Sequence, residues 1–86
     1  MRKIIKFIMK EIPISKCELN KEYVISKILV LDSELRYKLT KLGFFEKQKI
    51  KVLKLNYGKV SFMVSVMGVL YGVDKKICDK VIVYDY

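Results

Sequence analysis

The chain has 86 residues, carries a formal net charge of +9 at pH 7 and is 52% hydrophobic. A chain of this length forms one small domain, and its apolar content excludes an intrinsically disordered protein. Every apolar run is much shorter than the roughly 20 residues that a membrane-spanning helix needs, which excludes an integral membrane protein.

The first dozen residues have the pattern of a basic amphipathic helix that Pro13 ends. We therefore expect residues 1–13 to form an extension and residues 14–86 to form the domain. Two roles stay open for the extension: weak contact with a membrane surface through residues 1–12, or simple coverage of part of the domain. The apolar positions are Ile4, Ile5, Ile8, Met9 and Ile12, with Lys3, Lys6 and Lys10 between them.

The same segment has the charge of a signal peptide but not its other features. Lys6 and Lys10 interrupt the apolar stretch, and no small-residue cleavage site follows. We therefore expect a cytoplasmic protein, which includes a location at the inner face of the membrane.

Residues 23–31 predict the first strand of the domain, because they are rich in β-branched side chains and are bounded by Asn20 and Asp32. Residues 32–43 then predict a short helix. Asp32 or Ser33 can cap its first amides, and Gly43 can end it in the left-handed conformation. Leu35, Leu39 and Leu42 share one face of this helix, which we expect to pack on a sheet.

The second half of the chain predicts four more strands. Residues 49–55 form one, and the turn at residues 56–59 joins it to an antiparallel partner over residues 60–67. Val60, Phe62, Val64 and Val66 form the inward face of that partner. Gly68 permits a bend into residues 69–71, residues 74–79 predict one helical turn, and residues 81–83 predict the last strand. The expected fold is mainly β: a small closed barrel of five strands without an exposed edge.

The sequence lacks the residues that most enzymes and metal sites use. It contains no histidine, and Cys17 and Cys78 are far apart without a Cys-x-x-Cys spacing. Its four glycines form no phosphate-binding pattern. We therefore expect a binding module rather than an enzyme, with no cofactor, no metal site and two reduced thiols. Direct sensing of a metal ion stays a weaker alternative.

Positive charge is concentrated in the middle of the chain. Residues 33–59 contain eight Lys or Arg against Glu34 and Glu46, whereas residues 60–86 contain three Lys against three Asp. Such a patch favours an acidic protein surface, anionic lipid or nucleic acid, and the charge alone does not choose among them.

The order of these elements resembles the FeoA family of bacterial ferrous iron uptake from about Ile14 to Val83. The resemblance rests on the opening Ile-Ser-Lys-Cys at residues 14–17, on Lys38-Leu39 and Leu42-Gly43 in the helix, and on Val-Ile-Val at residues 81–83. This chain has Asn20 where the family usually has glycine, and Asn tolerates the same left-handed conformation.

The resemblance implies an SH3-like barrel and a non-enzymatic accessory protein. It also implies a partner, FeoB, the membrane permease with a cytosolic G-protein domain. A protein partner needs charged and aromatic contact residues, and the helix and its exit loop offer them. The candidate partner-binding residues are Arg36, Tyr37, Lys38, Lys41 and Phe45.

A small nucleic-acid-binding barrel is the alternative function. The net charge favours it, and so do four aromatic residues that could stack on bases: Tyr23, Tyr57, Phe62 and Tyr71. However, Phe62 lies on the apolar face of its strand and the last third of the chain has no net charge, so nucleic acid is the less favoured partner.

Overall fold

A computed structural model describes residues 10–56 and 60–85. In these ranges the chain forms six strands, two helices and one 3₁₀ turn at Ile14–Lys16. The strands are β1 (Lys10–Pro13), β2 (Glu22–Ile28), β3 (Lys49–Asn56), β4 (Ser61–Val66), β5 (Val69–Asp74) and β6 (Val81–Asp85). The helices are α1 (Ser33–Leu42) and α2 (Lys75–Cys78).

All strands belong to one antiparallel sheet in the order β1-β6-β2-β3-β4-β5. This confirms the mainly β fold, with a helix before β3 and a helical turn before the last strand. Two details differ from the prediction. The described residues form six strands rather than five, and their sheet is open, since β1 and β5 each pair on one side only.

The predicted helix over residues 1–12 is wrong at its end, because residues 10–13 form β1 and pair with β6. Ile12 lies opposite Val83 and is partly buried against the core. The Glu11 carboxylate also accepts a hydrogen bond from Ser26 Oγ at 2.9 Å and lies 3.2 Å from Lys27 Nζ. These two contacts lower the pKa of Glu11.

The rest of the predicted helix falls outside the described residues, and the domain boundary at residue 13 stays a prediction.

Helix α1 begins and ends as its sequence predicts. The Asp32 carboxylate accepts hydrogen bonds from the amides of Glu34 and Leu35 at 2.9 and 3.3 Å. Gly43 has a φ of 110°, and its amide donates to the Thr40 carbonyl. The amide of Phe44 donates to the carbonyl of Leu39 at 2.9 Å. This is the Schellman arrangement, in which a left-handed residue turns the chain back onto its own helix.

The core contains one buried residue of α1, Leu39, together with side chains of β2, β3, β4, β5 and β6. Leu35 is half-buried against this core, whereas Leu42 is 41% exposed. The expectation that all three leucines pack on the sheet is therefore wrong for Leu42, because Phe44 turns back and fills the place beneath the helix end. The other core residues are Ile14, Tyr23, Ile25, Val30, Ile50, Val52, Phe62, Val64, Val66, Val73, Cys78, Val81 and Val83.

Positive φ angles occur before β2, before β4 and in the loop between β4 and β5. Asn20 has a φ of 66°, as expected for the residue in the family's glycine position. Met67 and Gly68 have φ angles of 53° and 79° and form the two-residue loop between β4 and β5. Val60 has a φ of 49° and is 53% exposed, so the inward face of β4 begins at Phe62 rather than at Val60. The predicted turn over residues 56–59 lies mostly outside the described residues.

We predict that Gly43→Ala destabilises the fold by about 2 to 4 kcal/mol. A Cβ at this position would lie 2.8 Å from Val66 Cγ1, and the left-handed φ adds a further cost for any residue with a Cβ. Urea unfolding followed by circular dichroism measures the difference.

Gly72→Ala is the matched control. A Cβ at Gly72 meets no atom within 4 Å, so this variant should stay within about 1 kcal/mol of the parent chain. Equal stability of the Gly43→Ala variant and the parent would contradict the proposed packing of the helix end.

Candidate partner-binding surface

Helix α1 presents Tyr37 and Lys41 to solvent on the side opposite Leu39. Tyr37 is 64% exposed, and Lys41 Nζ lies 5.2 Å from the centre of its ring. The two residues are four positions apart, which places them one above the other on the helix, and a cation over a ring face is attracted to it. We call Tyr37 and Lys41 the crest of α1.

Arg36 and Phe45 meet on one flank of the helix. Both line a groove of about 340 Å³ together with Thr40, Phe44 and Glu46. Phe45 is 40% exposed because the Schellman turn sends Phe44 into the core and leaves the next side chain outside. The groove thus offers a guanidinium and an aromatic ring side by side.

Lys38 lies on the opposite flank of α1. It lines a second groove of about 330 Å³ between α1, β5 and α2, whose other walls are mainly apolar. The five predicted residues therefore belong to one helix and its exit, but the structure separates them into a crest and two flanks. Other residues of this second groove are Leu35, Leu42, Tyr71, Val73 and Ile77.

Two exposed leucines at the ends of α1 were missed by the sequence prediction. Leu31 is 90% exposed and Leu42 is 41% exposed. Leu31 precedes the capping Asp32, where an apolar residue usually packs on the fourth helical residue. That residue here is Arg36, so the sequence did contain a signal that Leu31 has no apolar partner on the helix.

The two cysteines are free thiols, Cys17 partly buried and Cys78 buried. Burial raises the pKa of Cys17 and of Cys78 to about 12. Their Sγ atoms donate to the carbonyls of Pro13 and Val73. Within residues 10–56 and 60–85, no group of three or more Cys, Asp or Glu residues is placed to hold a metal ion.

Among the described residues, Tyr23, Phe62 and Tyr71 do not form a common stacking surface for nucleic acid. Tyr23 and Phe62 are 2% and 6% exposed, so neither ring is available to a base. Tyr71 is half-buried with its ring centre 5.8 Å from that of Phe44, and Tyr57 lies outside the described residues.

In the described part of the chain, no helix has the length and apolarity needed to cross a membrane.

The model of one protein family, the FeoA domain, matches residues 12–85. The chain belongs to the FeoA family. This family is associated with ferrous iron transport, and its members are small accessory domains rather than a known class of enzyme. A comparison with curated proteins gives no match.

Solved structures of FeoA proteins share the fold of this chain. An iron uptake regulatory protein named FeoA is 24% identical, with a TM-score of 0.75 over 87% of this chain and 97% of that one. The FeoA of Stenotrophomonas maltophilia, described as an SH3 domain protein and solved with zinc, is 17% identical, with a TM-score of 0.71 over 84% and 88%. The SH3-like prediction is thereby confirmed.

The fold also occurs inside a larger regulator. A manganese-dependent transcriptional repressor is 12% identical, with a TM-score of 0.77 over 85% of this chain. The match covers 35% of the repressor, so the shared part is one domain of that protein. At this identity the likeness concerns the fold alone.

We predict that both thiols of the native FeoA-family chain react slowly with a disulfide reagent. With a pKa of about 12, the thiolate fraction at pH 8 is on the order of 10⁻⁴, against about 0.2 for an unperturbed cysteine. The native protein should therefore react at least about a hundredfold more slowly than the protein in guanidinium. Rapid reaction of either thiol in the native protein would contradict the burial described here.

Proposed function

We propose that this protein is a non-enzymatic, cytosolic accessory protein of ferrous iron uptake that binds a FeoB-type membrane permease. The contact is assigned to α1 and its exit loop, through Arg36, Tyr37, Lys38, Lys41 and Phe45. Membership of the FeoA family supports the process, and the exposed crest of α1 supports the surface.

The single observation that favours this surface is the exposure of Tyr37 beside Lys41. Tyr37 is 64% exposed, and the opposite side of its helix packs on the core. A partner can therefore bury most of the solvent-exposed area of this tyrosine. Tyrosine and arginine are the residue types that most often dominate the free energy of protein association. The neighbouring Arg36 and Phe45 groove adds a pocket for a partner side chain.

The charge of α1 defines the chemistry of the partner surface. Arg36, Lys38 and Lys41 are exposed on three sides of the helix, with Glu34 as the acidic residue in its first turn. Such a helix is attracted to an acidic surface, and this attraction raises the association rate more than the final affinity. We therefore expect the permease to present carboxylates around an apolar contact for Tyr37.

Tyr37→Ala should weaken binding to the detergent-solubilised permease about tenfold, which corresponds to about 1.4 kcal/mol. The change removes the largest exposed side chain of the crest and leaves the buried Leu39 in place. Binding is measured by biolayer interferometry with the immobilised permease.

Leu19→Ala is the control for this variant, since Leu19 is 49% exposed and precedes β2 rather than lying on α1. It should bind like the parent chain. Equal affinities of the Tyr37→Ala variant and the parent would exclude the crest as the contact, and no binding by the parent would exclude the permease as the partner.

A triple variant tests the role of charge: Arg36→Ala, Lys38→Ala and Lys41→Ala. Its association with the permease should be several-fold slower and less sensitive to salt, because the attraction between these positive side chains and an acidic surface, which salt screens, is removed. Association rates are compared between low and physiological ionic strength. Lys54→Ala, which changes an exposed lysine of β3, controls for loss of positive charge as such. An unchanged salt dependence in the triple variant would contradict the electrostatic part of the proposal.

A further inference from the structure

The tip of the β4–β5 hairpin carries three exposed apolar side chains. Met67, Val69 and Leu70 are 68%, 47% and 56% exposed. The loop consists of Met67 and Gly68, both with positive φ. Asn, Asp or Gly usually occupies the first position of such a loop, because these residues tolerate the conformation and are polar or small. Here a methionine adds apolar surface at the most protruding point of the hairpin.

This tip is held against the end of α1. A Cβ built at Gly43 would lie 3.0 Å from Met67 Sδ and 2.8 Å from Val66 Cγ1, so the hairpin and the helix end are in close contact. Leu42, which precedes Gly43, is itself 41% exposed and lines a groove together with Tyr71 and Gly72 of β5. We call Leu42, Met67, Val69 and Leu70 the hairpin end; they lie around this tip, with Leu70 on the outer face of the sheet and Leu42 and Val69 on the face that carries α1.

Lysines border the hairpin end on the outer face of the sheet. Lys49 and Lys51 line a groove of about 330 Å³ that also touches Ser65, Met67 and Gly68. Lys51 lies opposite Ser65, which lies opposite Leu70, so these three side chains share one row of the sheet. Neighbouring strands are about 5 Å apart, which places the Lys51 backbone about 10 Å from that of Leu70.

The charges around this groove are not all positive. Glu22 lies opposite Lys51 on the other side and lines the same groove. Positive charge remains in excess in the groove, with Lys49 and Lys51 against Glu22.

We propose that the hairpin end docks on an anionic lipid surface. A few apolar side chains on a narrow protruding loop can enter the headgroup region, while lysines behind them reach lipid phosphates. A stable protein interface needs about 800 Å² from each partner, and a two-residue loop with three apolar neighbours does not readily supply that area. This surface differs from the crest of α1, and the proposal does not depend on a permease contact there.

Tryptophan reporters test where the chain meets the lipid. The chain contains no tryptophan, so Leu70→Trp and Leu31→Trp each introduce a single reporter. Leu31 is 90% exposed at the other end of α1 and is the matched control. With phosphatidylcholine vesicles containing phosphatidylglycerol, the emission at position 70 should shift to shorter wavelength and be quenched by brominated acyl chains, and that at position 31 should not. Phosphatidylcholine alone should give neither response.

Two double variants separate the apolar and the charged parts of the contact in the full chain. Met67→Asn with Leu70→Thr keeps residues that suit the loop and the strand, and Lys49→Glu with Lys51→Glu reverses the charge beside them. Each pair should reduce partitioning to the anionic vesicles at least about tenfold. Lys76→Glu with Lys80→Glu is the control for charge. Lys76 lies in α2 and Lys80 follows it, and this pair makes the same change of net charge. It should reduce partitioning to the anionic vesicles much less.

Three results would overturn the proposal. The first is the absence of binding by the parent chain to anionic vesicles at physiological salt. The second is undiminished binding of the hairpin-end variants to anionic vesicles, or an equal response of the tryptophans at positions 31 and 70. Either outcome would place the lipid contact elsewhere, for example in residues 1–12. The third is loss of self-association or of protein binding in the hairpin-end variants while vesicle binding persists, which would assign this end to a second copy or a protein partner.

Discussion

The close approach of the Gly43 turn to the β4–β5 hairpin is the contact on which the arrangement of this protein depends. Leu39 is the one buried residue of helix α1, so the apolar stripe of the helix alone makes only a narrow contact with the sheet. The left-handed residue at Gly43 adds a second attachment, because it turns Phe44 into the core and brings the backbone against Val66. A residue with a Cβ would disturb both of these contacts.

The proposed permease-binding surface on α1 and the proposed lipid-binding hairpin end both lie next to this turn. On one side of it, α1 holds the exposed crest of Tyr37 and Lys41 above the sheet, and Phe45 leaves the turn toward the groove shared with Arg36. On the other side, Met67 packs over the turn at the tip of the hairpin. A protein that contacts a membrane permease through one surface and the lipid through the other would be held at the inner face of the membrane by both.

Local features of the fold were predictable from the sequence, and features set by distant contacts were not. Asp32 and Gly43 define α1 through hydrogen bonds within a few residues, so the sequence around them suffices. Residues 10–13 carry a helical pattern, but pairing with β6 decides their conformation. The candidate residues on α1 were chosen from residue type and from their place in the predicted helix, and their role stays a proposal. Their division between two flanks did not follow from the sequence, because the packing of α1 against β5 and α2 places Lys38 away from Phe45.

The most direct test of this account is the nuclear Overhauser effect between the Gly43 α protons and the Val66 methyl groups in the full chain. The account predicts a strong cross-peak, together with a three-bond amide coupling that indicates a positive φ at Gly43. Absence of the cross-peak in a folded sample, with α1 still helical, would show that the helix end does not rest on the hairpin and would contradict the placement of both surfaces.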